Sequence, residues 1–201
     1  MKTSLRILPV ITVVACLAVT CGTRAAERNP FFAMDTALRG GQTGSAAVRA
    51  VLLKELGYDG FGASGYPSQN DLATFERQGL KVFNTYLTLE FDSANPELDP
   101  QLKDAVRRFE GHGTDLWIAI SAVRRDGARL DRSDAAGDNV IVPRLRELAD
   151  LAQDSGIRIA FYPHAGFWLE RVEDSVRLAR AIDRPNVGAT FNLCHWLKVE
   201  G

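Results

Sequence analysis

The chain is short of cysteine, of histidine and of net charge, and each shortage removes a class of function. Of its three cysteines, Cys16 and Cys21 fall in an apolar N-terminal stretch, which leaves Cys194 alone in the remainder. A disulfide framework and a CxxC zinc pattern are thereby excluded, and the fold has to hold by its core. A formal net charge of −1 and the lack of a basic stripe leave no electrostatic footprint for a nucleic-acid partner. No P-loop, HExxH or Ser/His/Asp pattern occurs, and no GxGxxG follows the first predicted strand, which weakens a dinucleotide fold. Long hydrophobic runs are missing too. The nearest approach, residues 7–19, is too short for a comfortable membrane span.

That run has a different meaning. Lys2 and Arg6 precede it and small residues around Thr23-Arg24-Ala25 follow it, which is the three-part pattern of a secretory signal. Residues 1–25 are therefore expected to be a signal peptide cleaved after Ala25, with Ala26 the runner-up. Residues 26–201 are then an exported domain, periplasmic or secreted. Val13-Val14-Ala15-Cys16 resembles a bacterial lipobox, but apolar Leu17-Ala18-Val19 follows where a polar tether is expected. Cys21 after Ala18-Val19-Thr20 is a poorer match, so simple export is favoured over a lipid anchor.

What is present is an ordinary globular composition, with 46% hydrophobic and 24% charged residues in 201, enough for one sizeable core. Apolar runs predict strands at 30–34, 58–63, 80–87, 116–120, 157–161 and 187–191. Helical spacing predicts helices at 46–56, 72–78, 98–109, 142–153 and 172–182, the last stopped by Asp183-Arg184-Pro185-Asn186. A polar loop, 124–139, is of the kind that covers a site or stays mobile. Helix, glycine and strand recur at Leu56-Gly57-Tyr58, Gln78-Gly79-Leu80 and Ser155-Gly156-Ile157. Such regularity predicts right-handed βα units in a parallel sheet. A doubly wound sheet and a TIM (β/α)8-type barrel both fit. A complete barrel takes about 250 residues, so the barrel reading is of an α/β barrel truncated after its sixth strand.

In parallel α/β folds, ligands bind at the carboxyl ends of strands. The fifth predicted strand ends in Phe161-Tyr162-Pro163-His164-Ala165-Gly166 and the sixth in Asn192-Leu193-Cys194-His195. These two ends resemble the xylose isomerase-like TIM-barrel family, the sugar phosphate isomerase/epimerase group, over a stretch running from about Phe31 to the end. The resemblance implies a divalent metal (Mn, Mg, Zn or Co) that polarises a sugar carbonyl while a glutamate moves the adjacent proton. Carried over, His164, Asn192 and His195 are the metal-ligand positions. Tyr162 stands where the family has a glutamate and Asn192 where it has an aspartate, and both departures remove a negative charge.

His195 and His164 lead the catalytic candidates, because imidazole serves both metals and proton transfer near neutral pH. The bland alternative is a pair of strand-end histidines bonded to backbone. Glu170 is the candidate for the missing carboxylate, although acidic residues near helix N-termini are common for dipole reasons. Tyr162, Trp168, Asn192, Trp196 and Lys198 are the candidate substrate contacts, with Phe167 and Glu200 beside them. Aromatic walls suit sugar faces, yet ordinary packing explains them as well. Cys194 is expected to point into packing and His112 to be a surface cap. Glu90 and Asp92, in an exit loop, are weaker candidates.

The leading expectation is an exported isomerase/epimerase-like protein acting on a small-molecule carbohydrate or polyol, with no nucleic acid, no stable membrane span and room for a homo-oligomer. The alternative is a non-catalytic carbohydrate-binding barrel that has lost its metal carboxylates. Hydrolytic or nuclease chemistry ranks last, since the second and third predicted strands carry no histidine. Export predicts a mature N-terminus at Ala26. Intact mass of the protein from its own source checks this, and a lipid-shifted mass would identify the anchored form instead.

Overall fold

Parallel strands cannot be joined by hairpins, so each needs a crossover, and the helices between them supply it. The structure, a computed structural model, describes residues 29–38, 44–95 and 97–200. The expected signal segment, 1–25, lies outside the described residues. The strands are β1 (Phe32–Met34), β2 (Gly60–Ser64), β3 (Lys81–Asp92), β4 (Asp115–Arg125), β5 (Ala128–Arg129), β6 (Ile159–Phe161) and β7 (Val187–Ala189). The helices are α1 (Ala46–Glu55), α2 (Gln69–Arg77), α3 (Pro100–Arg108), α4 (Asp138–Asp154), α5 (Val172–Ile182) and α6 (Leu193–Glu200). The sheet runs β1-β2-β3-β4-β6-β7, with β5 attached to β4. Every neighbouring pair is parallel except β4 with β5.

Consecutive helices pack on one another, α1 with α2, α3 with α4 and α4 with α5. This places them as a layer on one side of the sheet, as in a barrel, and not on both faces as in a doubly wound fold. The core lies between that layer and the sheet. Phe61 of β2 stacks on Phe75 of α2 at 4.9 Å between ring centres, and Ile118 of β4 and Phe161 of β6 are wholly buried. The opposite, inner face carries aromatic rings in contact: Phe32 with Phe83 and Trp117, Trp117 with Tyr162, and Tyr162 with Tyr86. Gly62 keeps room for them. A Cβ there would lie 2.5 Å from Met34 Sδ and 2.8 Å from Asn84 Oδ1.

Local signals explain most boundaries. Ser68 caps α2 in a capping box with Asp71, and Asp99 caps α3 with Pro100 in its first turn. Gly57, Gly79 and Gly156 all take positive φ where the sequence pattern asks for helix ends. Asp183 closes α5 in the left-handed region before Pro185.

Four expectations need correcting. Helix α4 starts at Asp138, before the predicted 142, and holds Pro143 inside. A proline usually marks the first turn, which drew the predicted start too late. The 124–139 segment is not all loop: β4 runs to Arg125, β5 takes Ala128–Arg129 and α4 begins at Asp138, while Ser133 between them donates its N–H to Trp168 O at 2.9 Å and its hydroxyl to Asp174 at 2.6 Å. β3 runs to Asp92, so Glu90 sits within a strand and accepts from Ser121 Oγ at 3.3 Å. β7 ends at Ala189, and the chain then winds into α6, which places Lys198 and Glu200 on a helix.

Removing a buried side chain between sheet and helices leaves a cavity. Ile118→Ala, at a position with 0% exposure, is expected to cost about 2–5 kcal/mol, read as a lower urea midpoint at unchanged slope.

Candidate functional site

The site forms where β6 and β7 end. Tyr162 N–H donates to Ile118 O at 2.8 Å, which carries the ladder one residue past β6. The chain then turns tightly. Gly166 takes φ +86°, Phe167 N–H donates to His164 O, and His164 N–H donates to Leu169 O. His164 is thereby held at the head of the turn with Phe167 stacked on it at 4.0 Å. From the other strand end, Asn192 Oδ1 accepts the His195 N–H at 3.1 Å, the N-cap bond of α6. That cap brings His195 onto His164, their ring centres 3.8 Å apart and their planes inclined by 38°.

One residue, Ala165, links the two rings through its backbone. His164 Nδ1 lies 3.0 Å from Ala165 O, and Ala165 N–H donates to His195 Nδ1 at 3.4 Å. A carbonyl only accepts, so a neutral His164 carries its proton on Nδ1 and leaves a lone pair on Nε2. An amide N–H only donates, so His195 is bare at Nδ1 and, when neutral, carries its proton on Nε2. The neighbouring imidazoles thus present opposite functions, one base and one donor.

Tyr162 and Asn192 are tied together, Asn192 Nδ2 donating to Tyr162 Oη. The phenol uses its oxygen as acceptor and keeps its own proton to give. Burial holds the Tyr162 phenol above its usual range, the Asn192 bond pulling the other way, so it stays protonated at neutral pH. Tyr162 also makes edge contacts with Tyr86 at 5.1 Å and with His195 at 5.9 Å. Tyr86 and Trp117 were not among the sequence candidates. The period-two alternation Tyr86, Thr88, Glu90 on one face of β3 is the signal that points to the first of them.

Other candidates land elsewhere. Trp168 is 1% exposed, packed against Gly137 with the Arg177 guanidinium 5.7 Å from its ring. It is a core residue, because the turn after His164 folds it back along β4. Glu170 holds that turn, accepting from Gly166 N–H at 2.8 Å and from Arg132 at 2.9 Å. Trp196 makes its ring contact with Phe191 and not with the histidines. Lys198 stands one turn along α6 from His195, and Glu200 pairs with Arg171. Cys194 is exposed and does not point into packing. His112, in the turn after α3, lies 2.5 Å from Glu76 and 3.3 Å from Gln69, both on α2.

The metal-ligand expectation does not fit these contacts. Both polar atoms of the Asn192 amide are engaged, and neither an amide nor a phenol replaces the carboxylates that Mg²⁺ and Mn²⁺ prefer. Among the described residues, no three His, Cys, Asp or Glu gather in a way that could hold an ion.

Burial, then His164, then Lys198, pull the His195 imidazole below its ordinary value near 6.5. The folded state therefore binds fewer protons than the unfolded chain, and stability falls as pH drops from about 6.5 through the lower folded value. A proton-detected histidine titration should place His195 below that reference. His164→Ala should move it part of the way back.

The sequence profile of the xylose isomerase-like TIM barrel matches residues 50–201. No curated protein matches the sequence. Among solved structures, an IolI protein with a bound zinc atom superimposes at TM-score 0.62, with 16% identity over 84% of this chain and 64% of that one. A D-psicose 3-epimerase determined in the presence of D-fructose gives TM-score 0.62, with 14% identity over 86% of this chain and 66% of that one. The 3-keto-D-glucoside 4-epimerase YcjR from E. coli gives 0.57, with 14% identity over 78% and 66%. At such identities the likeness is one of fold, and the chain spans about two thirds of the length of these structures. With a matched profile over three quarters of its residues and six parallel strands in barrel order, the chain belongs to the xylose isomerase-like TIM barrel family.

Proposed function

We propose that this protein is a sugar isomerase/epimerase-like enzyme that moves a proton beside the carbonyl of a small carbohydrate. The observation that carries the reading is the pairing of His164 and His195 through the backbone C=O and N–H of Ala165, which sets a base and a donor side by side. Its place at the carboxyl ends of β6 and β7 is where ligands meet this architecture. Epimerases among the fold neighbours give the reaction class its precedent.

In this reading His164 Nε2 takes the proton from the carbon next to the carbonyl. The sugar lies along the inner aromatic face of Tyr86, Trp117 and Tyr162, which suits the apolar face of a pyranose or an extended ketose. The proton then returns to the same carbon or, once the adjacent hydroxyl proton has moved to the former carbonyl oxygen, to the neighbouring carbon. Glu170 plays a supporting part, since its carboxylate shapes the turn that holds His164. Lys198, near His195 on α6, adds positive charge where the carbonyl oxygen becomes negative. We place the enzyme outside the cytoplasm on the strength of the signal pattern in residues 1–25. A phosphorylated intracellular sugar is then a poor substrate candidate.

A second reading, a carbohydrate-binding barrel without turnover, draws on the Tyr162–Asn192 pair that occupies the positions of two family carboxylates. Deuterium uptake decides between them. Incubated in D2O with D-fructose, D-psicose or D-tagatose, the wild-type protein is expected to exchange a carbon-bound proton of at least one sugar, seen by NMR. His164→Ala is expected to slow that exchange by about 100-fold or more. Quenching of tryptophan fluorescence by a sugar that never exchanges would favour the binding module.

A further inference from the structure

The two histidines are too close to share a metal ion, and this bears on how the carbonyl is polarised. A zinc–nitrogen bond is about 2.1 Å and the centre of an imidazole lies about 1.1 Å behind its nitrogen, so each ring centre sits about 3.2 Å from a bound ion. Tetrahedral ligation then separates two ring centres by about 5 Å, and even a right angle at the metal needs about 4.5 Å. His164 and His195 are 3.8 Å apart. Their Nε2 atoms also differ in kind, since His195, when neutral, carries a proton there and has no lone pair to give. The backbone C=O and N–H of Ala165 hold the two rings in this state. At the two positions where the resemblance implies carboxylate ligands, Tyr162 and Asn192 bond to each other instead.

We infer that the task a divalent metal would perform, polarising the carbonyl, falls here to the Nε2–H of His195 and the phenolic O–H of Tyr162, so that the site works metal-free. The inference rests on the isomerase/epimerase reading for its substrate, but its claim about the metal stands on the pair itself. The step balances without a co-reactant. The C–H bond breaks, its proton goes to His164 Nε2, and its electron pair forms a C=C bond to the carbonyl carbon. The carbonyl oxygen becomes an enolate oxygen held by the two donors, and return of the proton to carbon restores the carbonyl. Donors set against the developing charge do what an oxyanion hole does.

The test begins on the full-length purified protein with metal ions alone. Calorimetric titration with Zn²⁺ and with Mn²⁺ is expected to show no stoichiometric binding that depends on His164. Long-range ¹H–¹⁵N spectra are expected to show His164 protonated at Nδ1 and His195 at Nε2. One equivalent of tightly bound ion that is lost in His164→Ala, or a metal-induced shift of both Nε2 resonances, overturns the inference. In the exchange assay, activity is expected to survive EDTA, and Tyr162→Phe should lower kcat about 10- to 100-fold with KM little changed. Exchange abolished by EDTA and restored by a divalent ion also overturns it. If no sugar exchanges while the pair keeps these tautomers without metal, the isomerase reading fails and the metal-free pair stands.

Discussion

A parallel strand leaves the sheet at the end opposite to where its successor enters, so the chain must cross back over one face before it can pair again. In this protein every crossover between successive parallel strands contains a helix, and the helices pack against one another on the same side. The outer face of the sheet is therefore sealed, while the carboxyl ends of the strands all open toward one mouth. Burial of residues such as Phe61, Ile118 and Phe161 against the helices holds this arrangement. It leaves the inner face free to carry half-buried rings that need not pack for stability alone.

At that mouth the site is assembled from two loops which touch only because β6 and β7 are neighbours. The turn after Tyr162 is rigid for local reasons: a left-handed glycine, a stacked phenylalanine, and a glutamate bonded to the turn's own backbone. The segment after β7 is rigid because Asn192 caps a helix with one side-chain atom and binds Tyr162 with the other. A single residue, Ala165, then joins the two halves, its backbone N–H going to His195 and its C=O to His164. Geometry of this kind orients both imidazoles through backbone groups, with the Glu170 carboxylate bracing the turn that presents them.

Much of the barrel was legible in residue order. Alternating apolar runs and glycine-capped helices report the backbone directly, because φ > 0 and a period of 3.6 or 2 are local requirements. That His164 and His195 follow two successive strands was legible too, because apolar runs mark those strands. The rest was hidden for physical reasons that differ from residue to residue. Trp168 looked like a site aromatic from its nearness in sequence to His164, yet the turn between them sends it into the core. Asn192 read as a ligand, while its cap of α6 becomes visible only once 193–200 is known to be helical. Tyr86 and Trp117 lie far from the histidines along the chain and meet Tyr162 only through the pairing of β3, β4 and β6.

By itself, then, the sequence determined the alternation of strands and helices and the places of His164 and His195 just past two neighbouring strands. These follow from periodicity and from turn residues, which act within a few positions of one another. Only the tertiary structure decided that the helices cover one face, that the rings stand 3.8 Å apart, and that Tyr162 and Asn192 spend their polar atoms on each other. Those outcomes depend on contacts across about 30 residues of chain, between Tyr162 and Asn192 and between Ala165 and His195. Which nitrogen of an imidazole keeps its proton is settled by whichever backbone atom folding brings against it.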